Sequence, residues 1–141
     1  MTLDDLKPGL RHAQTMVVGA RHTVPEASRL FDNTTEMPPV FATANMIAFV
    51  EWTCVAALAP YLTPHQRSVG TKVEMTHLAA TPIGMQVTAD VELIAVNGRN
   101  LRFKVSCHDD AEPIGEGFHE RIVIDYDRFM TRLERKQGNR A

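Results

Sequence analysis

The chain has 141 residues, with 15 lysines and arginines against 17 aspartates and glutamates, and its formal net charge is -2. This length is typical of one domain, which buries about two thirds of its unfolded surface and so has room for an ordinary core. The near balance of charge carries no electrostatic signature of nucleic-acid binding. We therefore predict a single domain over residues 1–141 with no nucleic-acid partner.

Metal, secretion and membrane signals are also missing from the sequence. Cys54 and Cys107 lack metal-ligand spacing and are expected to be small buried hydrophobes, and the histidines lack it too. The N-terminal stretch MTLDDLKPGLRH carries acidic residues and no apolar run, so it predicts neither a secretion signal nor an anchor. We expect a cytoplasmic protein that binds no metal and no membrane.

The first forty residues predict little regular structure. Residues 10–18 alternate loosely and predict a strand, and a short helix fits near 26–31. The rest of the segment from 19 to 39 is irregular and contains Pro25, Pro38 and Pro39. A segment of this length is either a lid or binding loop or a plain connection, and the sequence leaves both readings open.

The stretch from Met37 to Tyr61 predicts one long apolar helix. Pro38 and Pro39 precede it and Pro60 ends it. About 18 helical residues would span roughly 27 Å, close to the thickness of a bilayer. The run is apolar nearly all round, which is typical of a helix buried in a core. Because Glu51 lies in its middle and Asn45 near its start, we favour a central helix of a soluble protein.

After Pro60 the apolar pattern changes to strict alternation, which predicts strands. Four are expected, over residues 70–78, 85–96, 101–108 and 114–125, followed by a charged tail from Arg128 that fits a short helix. Asn97-Gly98 is a strong hairpin signal between the second and third of them. Gly115 and Gly117 suit a bulge or a close backbone approach, and His77 falls on the inward face of the first of these strands.

This order of elements predicts an α+β hotdog fold, a curved antiparallel β-sheet wrapped around one long central helix. One such sheet leaves an edge strand open and part of the helix uncovered. We therefore expect a homodimer.

Glu51 is the residue that most needs a function, because a lone carboxylate among apolar neighbours is costly to desolvate. The alternatives are an exposed stripe or a structural ion pair. Thr43 lies about 80° round the helix and roughly 12 Å along it from Glu51, so the two side chains cannot touch within one helix. If both residues act on one substrate, Thr43 lies where the chain is still entering the helix, or the site draws on a second subunit. Thr43 as a mere N-cap is the third possibility.

The chain resembles the fluoroacetyl-CoA thioesterase family of hotdog proteins over about residues 10–130. The matching residues are Val40-Phe41-Ala42-Thr43, Glu51-Trp52, Ala59-Pro60-Tyr61-Leu62, Gly70-Thr71, Thr76-His77, Ala79-Ala80-Thr81-Pro82, Ser106, His108-Asp109, Gly117 and His119-Glu120-Arg121. The resemblance implies hydrolysis of a small acyl-CoA thioester, with CoA as part of the substrate and no cofactor. It also implies a catalytic set of Thr43, Glu51 and His77.

In this resemblance Glu51 is the nucleophile or the general base, His77 the acid/base and Thr43 an orienting group. Gly70 and Arg121 are implied to bind substrate, as are Met37 and Phe41 at the pocket wall.

Thr34 and Met37 stand where the fluoroacetate-selective family member has phenylalanines, so selectivity for a fluorinated acyl group is not expected. Two other functions stay open for this fold, an acyl-CoA hydratase or dehydratase and a non-catalytic binder of acyl-CoA or another small ligand.

Overall fold

The structure is a computed structural model that describes residues 1–139. Its strands and helices, in chain order, are β1 (Arg11–Val17), α1 (Val24–Arg29), α2 (Thr43–Leu58), β2 (Gln66–Met75), β3 (Gln86–Asn97), β4 (Asn100–Asp109), β5 (Pro113–Asp125) and α3 (Tyr126–Gly138). Short 3-10 turns occupy Leu3–Asp5, Ala20–His22 and Ala59–Tyr61.

The five strands form one antiparallel sheet in the order β1-β3-β4-β5-β2. α2 packs on one face of this sheet, which confirms the predicted α+β hotdog layout. The hairpin signal is also confirmed, since β3 and β4 meet at Gly98, whose φ of 62° suits glycine. β1 and β2 are the two edges of the sheet.

Helix α2 meets the sheet through a row of side chains spaced four residues apart. Met46, Val50, Cys54 and Leu58 are all fully buried, as expected for one stripe of a helix. By length and composition alone the segment Thr43–Tyr61 could cross a membrane, and here it lies against the sheet. Trp52 lies off this row and is 67% exposed, so the single sheet leaves part of the helix uncovered, as predicted.

Strand β5 needs its glycines because the end of β2 and the residue after it run very close to β5. A Cβ on Gly117 would overlap the carbonyl oxygen of Glu74, and a Cβ on Gly115 would overlap that of Thr76. The predicted close approach is therefore confirmed, and both positions require hydrogen in place of a side chain.

The first predicted strand after α2 differs from the observed one. β2 starts at Gln66 and ends at Met75, so His77 follows the strand and does not lie within it. The chain stays extended there, because the amides of Thr76 and Leu78 donate to carbonyls of β5 at 2.9 and 2.8 Å. His77 is therefore fixed by backbone hydrogen bonds although it lies outside the strand.

Candidate active site

Glu51 lies on α2 and is held by an arginine from strand β5. Nη1 of Arg121 donates to Oε1 of Glu51 at 3.2 Å. The guanidinium is buried, whereas the Glu51 side chain is 40% exposed. Glu51 is therefore not a lone desolvated carboxylate. It forms an ion pair, and part of its side chain remains exposed to solvent.

Arg121 owes its fixed position to the neighbouring strand β2. Its Nε donates to Oγ of Ser68 and its Nη2 to the Ser68 carbonyl, both at 2.9 Å. Nη1 also lies 3.0 Å from Nε2 of His119, two residues earlier on the same face of β5. A buried guanidinium with this many acceptors is satisfied and cannot swing away from Glu51.

Gly70 lies opposite Arg121 in the pairing of β2 with β5. A Cβ at this position would overlap Oε1 of Glu51 and lie 3.1 Å from Cε1 of His119. The missing side chain therefore leaves the space that the Glu51 carboxylate occupies. Whether the Gly70 backbone also contacts a substrate stays a prediction.

Thr43 and His77 form a second group. The Thr43 hydroxyl lies 2.7 Å from Nδ1 of His77. Thr43 is the first residue of α2, the N-cap is Ala42, and no side-chain capping hydrogen bond is formed. The hypothesis that Thr43 serves merely as an N-cap is therefore wrong, since its hydroxyl is directed at a histidine.

His77 has the character of a neutral base in this chain. Burial lowers the pKa of its imidazole below the usual value of 6.5, and the backbone of Ala79 partly opposes this shift. Its Nε2 is buried and has no hydrogen-bond partner within the part of the chain that the structure describes. An unpaired buried nitrogen is costly, so a partner from outside this chain would stabilise it.

The two remaining predicted residues occupy different environments. Met37 is half-buried in the segment before α2, whereas Phe41 is 1% exposed and packs in the core. Phe41 thus fixes the entry of the chain into α2. Contact of either side chain with a substrate stays a prediction.

A cavity of about 540 Å³ opens beside Glu51. Its lining combines apolar side chains with the ion pair and consists of Glu51, Trp52, Val55, Ala59, Leu62, Arg67, Ser68 and Arg121. A larger groove of about 880 Å³ crosses the outer face of the sheet, and its lining includes none of the predicted site residues. We take the smaller cavity as the candidate site because a carboxylate and a buried cation converge there.

Two residues of the site were not assigned a role from the sequence. His119 alternates with Arg121 along β5, and Ser68 with Gly70 along β2, so the two-residue period of a strand places each beside a predicted residue. That period was the available signal. The sequence did not indicate that these four residues meet across the β2–β5 pairing.

The family model described as fluoroacetyl-CoA-specific thioesterase matches residues 14–127. The chain belongs to this family. A fluoroacetyl-CoA thioesterase from Streptantibioticus cattleyicolor is 42% identical over 137 residues, which cover 94% of this chain and 96% of that protein.

Solved structures of the fluoroacetyl-CoA thioesterase agree in fold with this family member. One is 42% identical with a TM-score of 0.90 and covers 94% of this chain and 98% of its own. Another is a mutant in complex with fluoroacetate and CoA. It is 43% identical with a TM-score of 0.82, and the match covers 88% of this chain and 99% of that one. A thioesterase superfamily member from Thermus thermophilus is 22% identical with a TM-score of 0.81, and the match covers 94% of this chain and 93% of that one. At this identity the similarity supports the fold alone.

Proposed function

We propose that this protein hydrolyses a small acyl-CoA thioester to the free acid and CoA. The observation that carries the proposal is Glu51, a half-exposed carboxylate held by the buried Arg121 beside a largely apolar cavity. Family membership agrees with it. Thioester hydrolysis needs a nucleophile or activated water, a proton carrier and donors for the developing oxyanion.

Glu51 would attack the thioester carbonyl directly or activate a water. Within residues 1–139, its polar side-chain contacts all run through Oε1. This leaves Oε2 for the substrate, which favours direct attack with formation of an acyl-enzyme anhydride and departure of the CoA thiolate. Water would then hydrolyse the anhydride and regenerate the carboxylate.

His77 would manage the protons of this reaction. A neutral imidazole with an unpaired Nε2 can take a proton from water and return it to the CoA thiolate. The Thr43 hydroxyl, 2.7 Å from Nδ1, would fix the orientation of the ring. This hydrogen bond supports an orienting role for Thr43.

We also propose that the protein is a homodimer whose active sites are shared between subunits. Thr43 and Glu51 lie on the same helix roughly 12 Å apart along its axis, and each has its own group of partners. β2 is an open edge, with Val73 42% exposed, and Trp52 next to Glu51 is 67% exposed. Pairing of two β2 edges would cover these surfaces and bring His77 of one subunit toward Glu51 of the other.

The first test is release of free thiol from a panel of short acyl-CoAs, including acetyl-CoA, propionyl-CoA and fluoroacetyl-CoA. We expect turnover by the wild type and by Glu112→Gln, an exposed control, and at least a hundredfold loss in Glu51→Gln. Equal rates in Glu51→Gln and the wild type would refute the mechanism. Binding of acyl-CoA without turnover would favour the non-catalytic function, and hydration of crotonyl-CoA without thiol release would favour a hydratase.

The second test is complementation between two inactive variants, Glu51→Gln and His77→Ala. With a shared site, a mixed dimer contains one intact site, so a one-to-one mixture after subunit exchange should recover about a quarter of wild-type activity. Sedimentation analysis would establish the dimer independently. No recovery from a mixture that contains mixed dimers would refute the shared site.

A further inference from the structure

His119 connects the two strands that build the Glu51 cavity. It lies on the inner face of β5 and is 1% exposed. Its Nδ1 lies 2.7 Å from the carbonyl oxygen of Lys72 on β2, and its Nε2 lies 3.0 Å from Nη1 of Arg121. The ring thus bridges a backbone group of one strand and a side chain of the other.

These two partners determine the protonation state of the ring. The Lys72 carbonyl can only accept a hydrogen bond, so Nδ1 carries a proton. The Arg121 guanidinium can only donate, so Nε2 is an unprotonated acceptor. Only the neutral Nδ1–H imidazole satisfies both contacts, since an imidazolium would turn an N–H toward the guanidinium.

The surroundings favour the same neutral form. Burial lowers the pKa of His119, and the cation of Arg121 lowers it further, while the Lys72 carbonyl and the carboxylates of Glu51 and Glu120 oppose this. Phe103, fully buried on β4, is its neighbour in the sheet and adds apolar contact.

A β-bulge places the acceptor that His119 uses. The pairing of β2 with β5 shifts between Gly70 and Lys72, so Thr71 is an extra residue on β2. A bulge redirects the backbone locally and interrupts regular pairing. Here it lies between the glycine that makes room for Glu51 and the carbonyl that fixes His119.

We propose that His119 is a positioning residue for the reaction, acting through Arg121 on Glu51. Nη1 carries two N–H groups, one directed at Nε2 of His119 and the other at Oε1 of Glu51. Together with Ser68, which holds Nε and Nη2, His119 therefore fixes the plane of the guanidinium whose Nη1 contacts the reacting carboxylate. This inference rests on the proposed function, in which Glu51 is catalytic.

Two substitutions of His119 each keep one of its two hydrogen bonds and remove the other. The amide of His119→Asn lies near the place of Nδ1, so it can donate to the Lys72 carbonyl and cannot reach Arg121. The amide of His119→Gln extends to the place of Nε2 and can accept from Arg121, while it loses the Lys72 contact. We expect kcat to fall about tenfold or more in the asparagine variant, with KM within about twofold, and to stay near wild type in the glutamine variant.

Melting temperatures of both variants would distinguish positioning from folding, since a purely structural role would make kcat follow thermal stability in the two variants. Equal kcat in the asparagine and glutamine variants would overturn the proposal. If Glu51→Gln is inactive while His119→Asn keeps full kcat, only this inference fails. If Glu51→Gln is fully active, the proposed function fails first.

A measurement on the wild-type protein is independent of whether the variants fold. Nitrogen-15 correlation spectra of the histidine rings should assign His119 the neutral Nδ1–H tautomer from pH 8 down to below about pH 6.5, the ordinary histidine value. An Nε2–H tautomer or an imidazolium at pH 7 would overturn the proposal, because neither can accept from Arg121.

Discussion

Gly70→Ala is the substitution that most directly tests whether the position of Glu51 matters. The added methyl group would overlap Oε1 of Glu51, and it would lie 3.1 Å from His119 Cε1 and 3.5 Å from Arg121 Nη1. The Glu51 oxygen is the end of a flexible side chain, so it would move and the backbone would stay. Gly70 has no positive φ, so alanine introduces no backbone strain there.

The expected effect is large on activity and small on stability. Clearing the overlap displaces the carboxylate by about 1 Å, and a misplacement of that size at a reacting group can cost about a hundredfold in rate. Alanine in place of glycine also removes freedom from the unfolded chain, which stabilises by about 0.4–1 kcal/mol and offsets part of the crowding. We therefore expect a kcat about a hundredfold lower with a melting temperature within a few degrees of wild type.

The assay is thiol release from acetyl-CoA at saturating substrate, with thermal unfolding measured on the same samples. Gly138→Ala is the matched control, because a Cβ there meets nothing within 4 Å among residues 1–139, and its kcat should equal that of the wild type. A Gly70→Ala protein that is folded and fully active would refute the reasoning, since Glu51 would then tolerate displacement.

Three further predictions concern stability. Gly117→Ala should lower the free energy of unfolding by about 2–3 kcal/mol, because the added Cβ meets the rigid carbonyl of Glu74. Asp109→Ala should lower it by roughly 2–4 kcal/mol, because the buried carboxylate accepts from the Thr81 hydroxyl and two backbone amides at 2.8–2.9 Å. Stability should also fall as the pH drops below about 6.5, because burial lowers the pKa of three histidines in the folded chain and the unfolded chain then binds more protons. These histidines are His22, His77 and His119.

Urea denaturation measures all three. Gly138→Ala and Asp110→Ala serve as controls. The Asp110 carboxylate is exposed, and within the described part of the chain it accepts a single amide hydrogen bond, from Gln86. Wild-type stability of Gly117→Ala or Asp109→Ala would contradict the packing described here. For the pH effect, the histidine contribution is fully present above pH 6.5 and is lost on acidification, so equal stability at pH 7.5 and 5.5 would contradict it.

The elements themselves were largely predictable because their signals are local. The two-residue alternation of residues 85–96 and 101–108 and the turn at Asn97-Gly98 gave a hairpin that the structure confirms. The apolar run before Pro60 gave the central helix. The sequence also predicted that one sheet leaves part of this helix uncovered. It did not predict that Trp52 lies on the uncovered part, because the apolar pattern is nearly the same on every side of the helix.

The site depended on contacts between distant parts of the chain. Arg121 meets Glu51 across 70 positions and Thr43 meets His77 across 34. Such pairs depend on strand order and register. Many backbone hydrogen bonds and buried side chains together determine that order and register, so no local sequence pattern predicts these pairs. The family resemblance identified Thr43, Glu51, His77 and Arg121 as candidate site residues, but it did not predict which side chains contact one another.

The sequence by itself determined that this chain forms one long helix and five strands, because helical and strand periodicity are written within a few neighbouring residues. The tertiary structure alone decided that Glu51 is an ion-paired, half-exposed carboxylate and that His119 links Arg121 to a bulge in β2. The physical reason is that pairing β2 with β5 brings these groups within hydrogen-bonding distance, and this pairing is a property of the whole sheet.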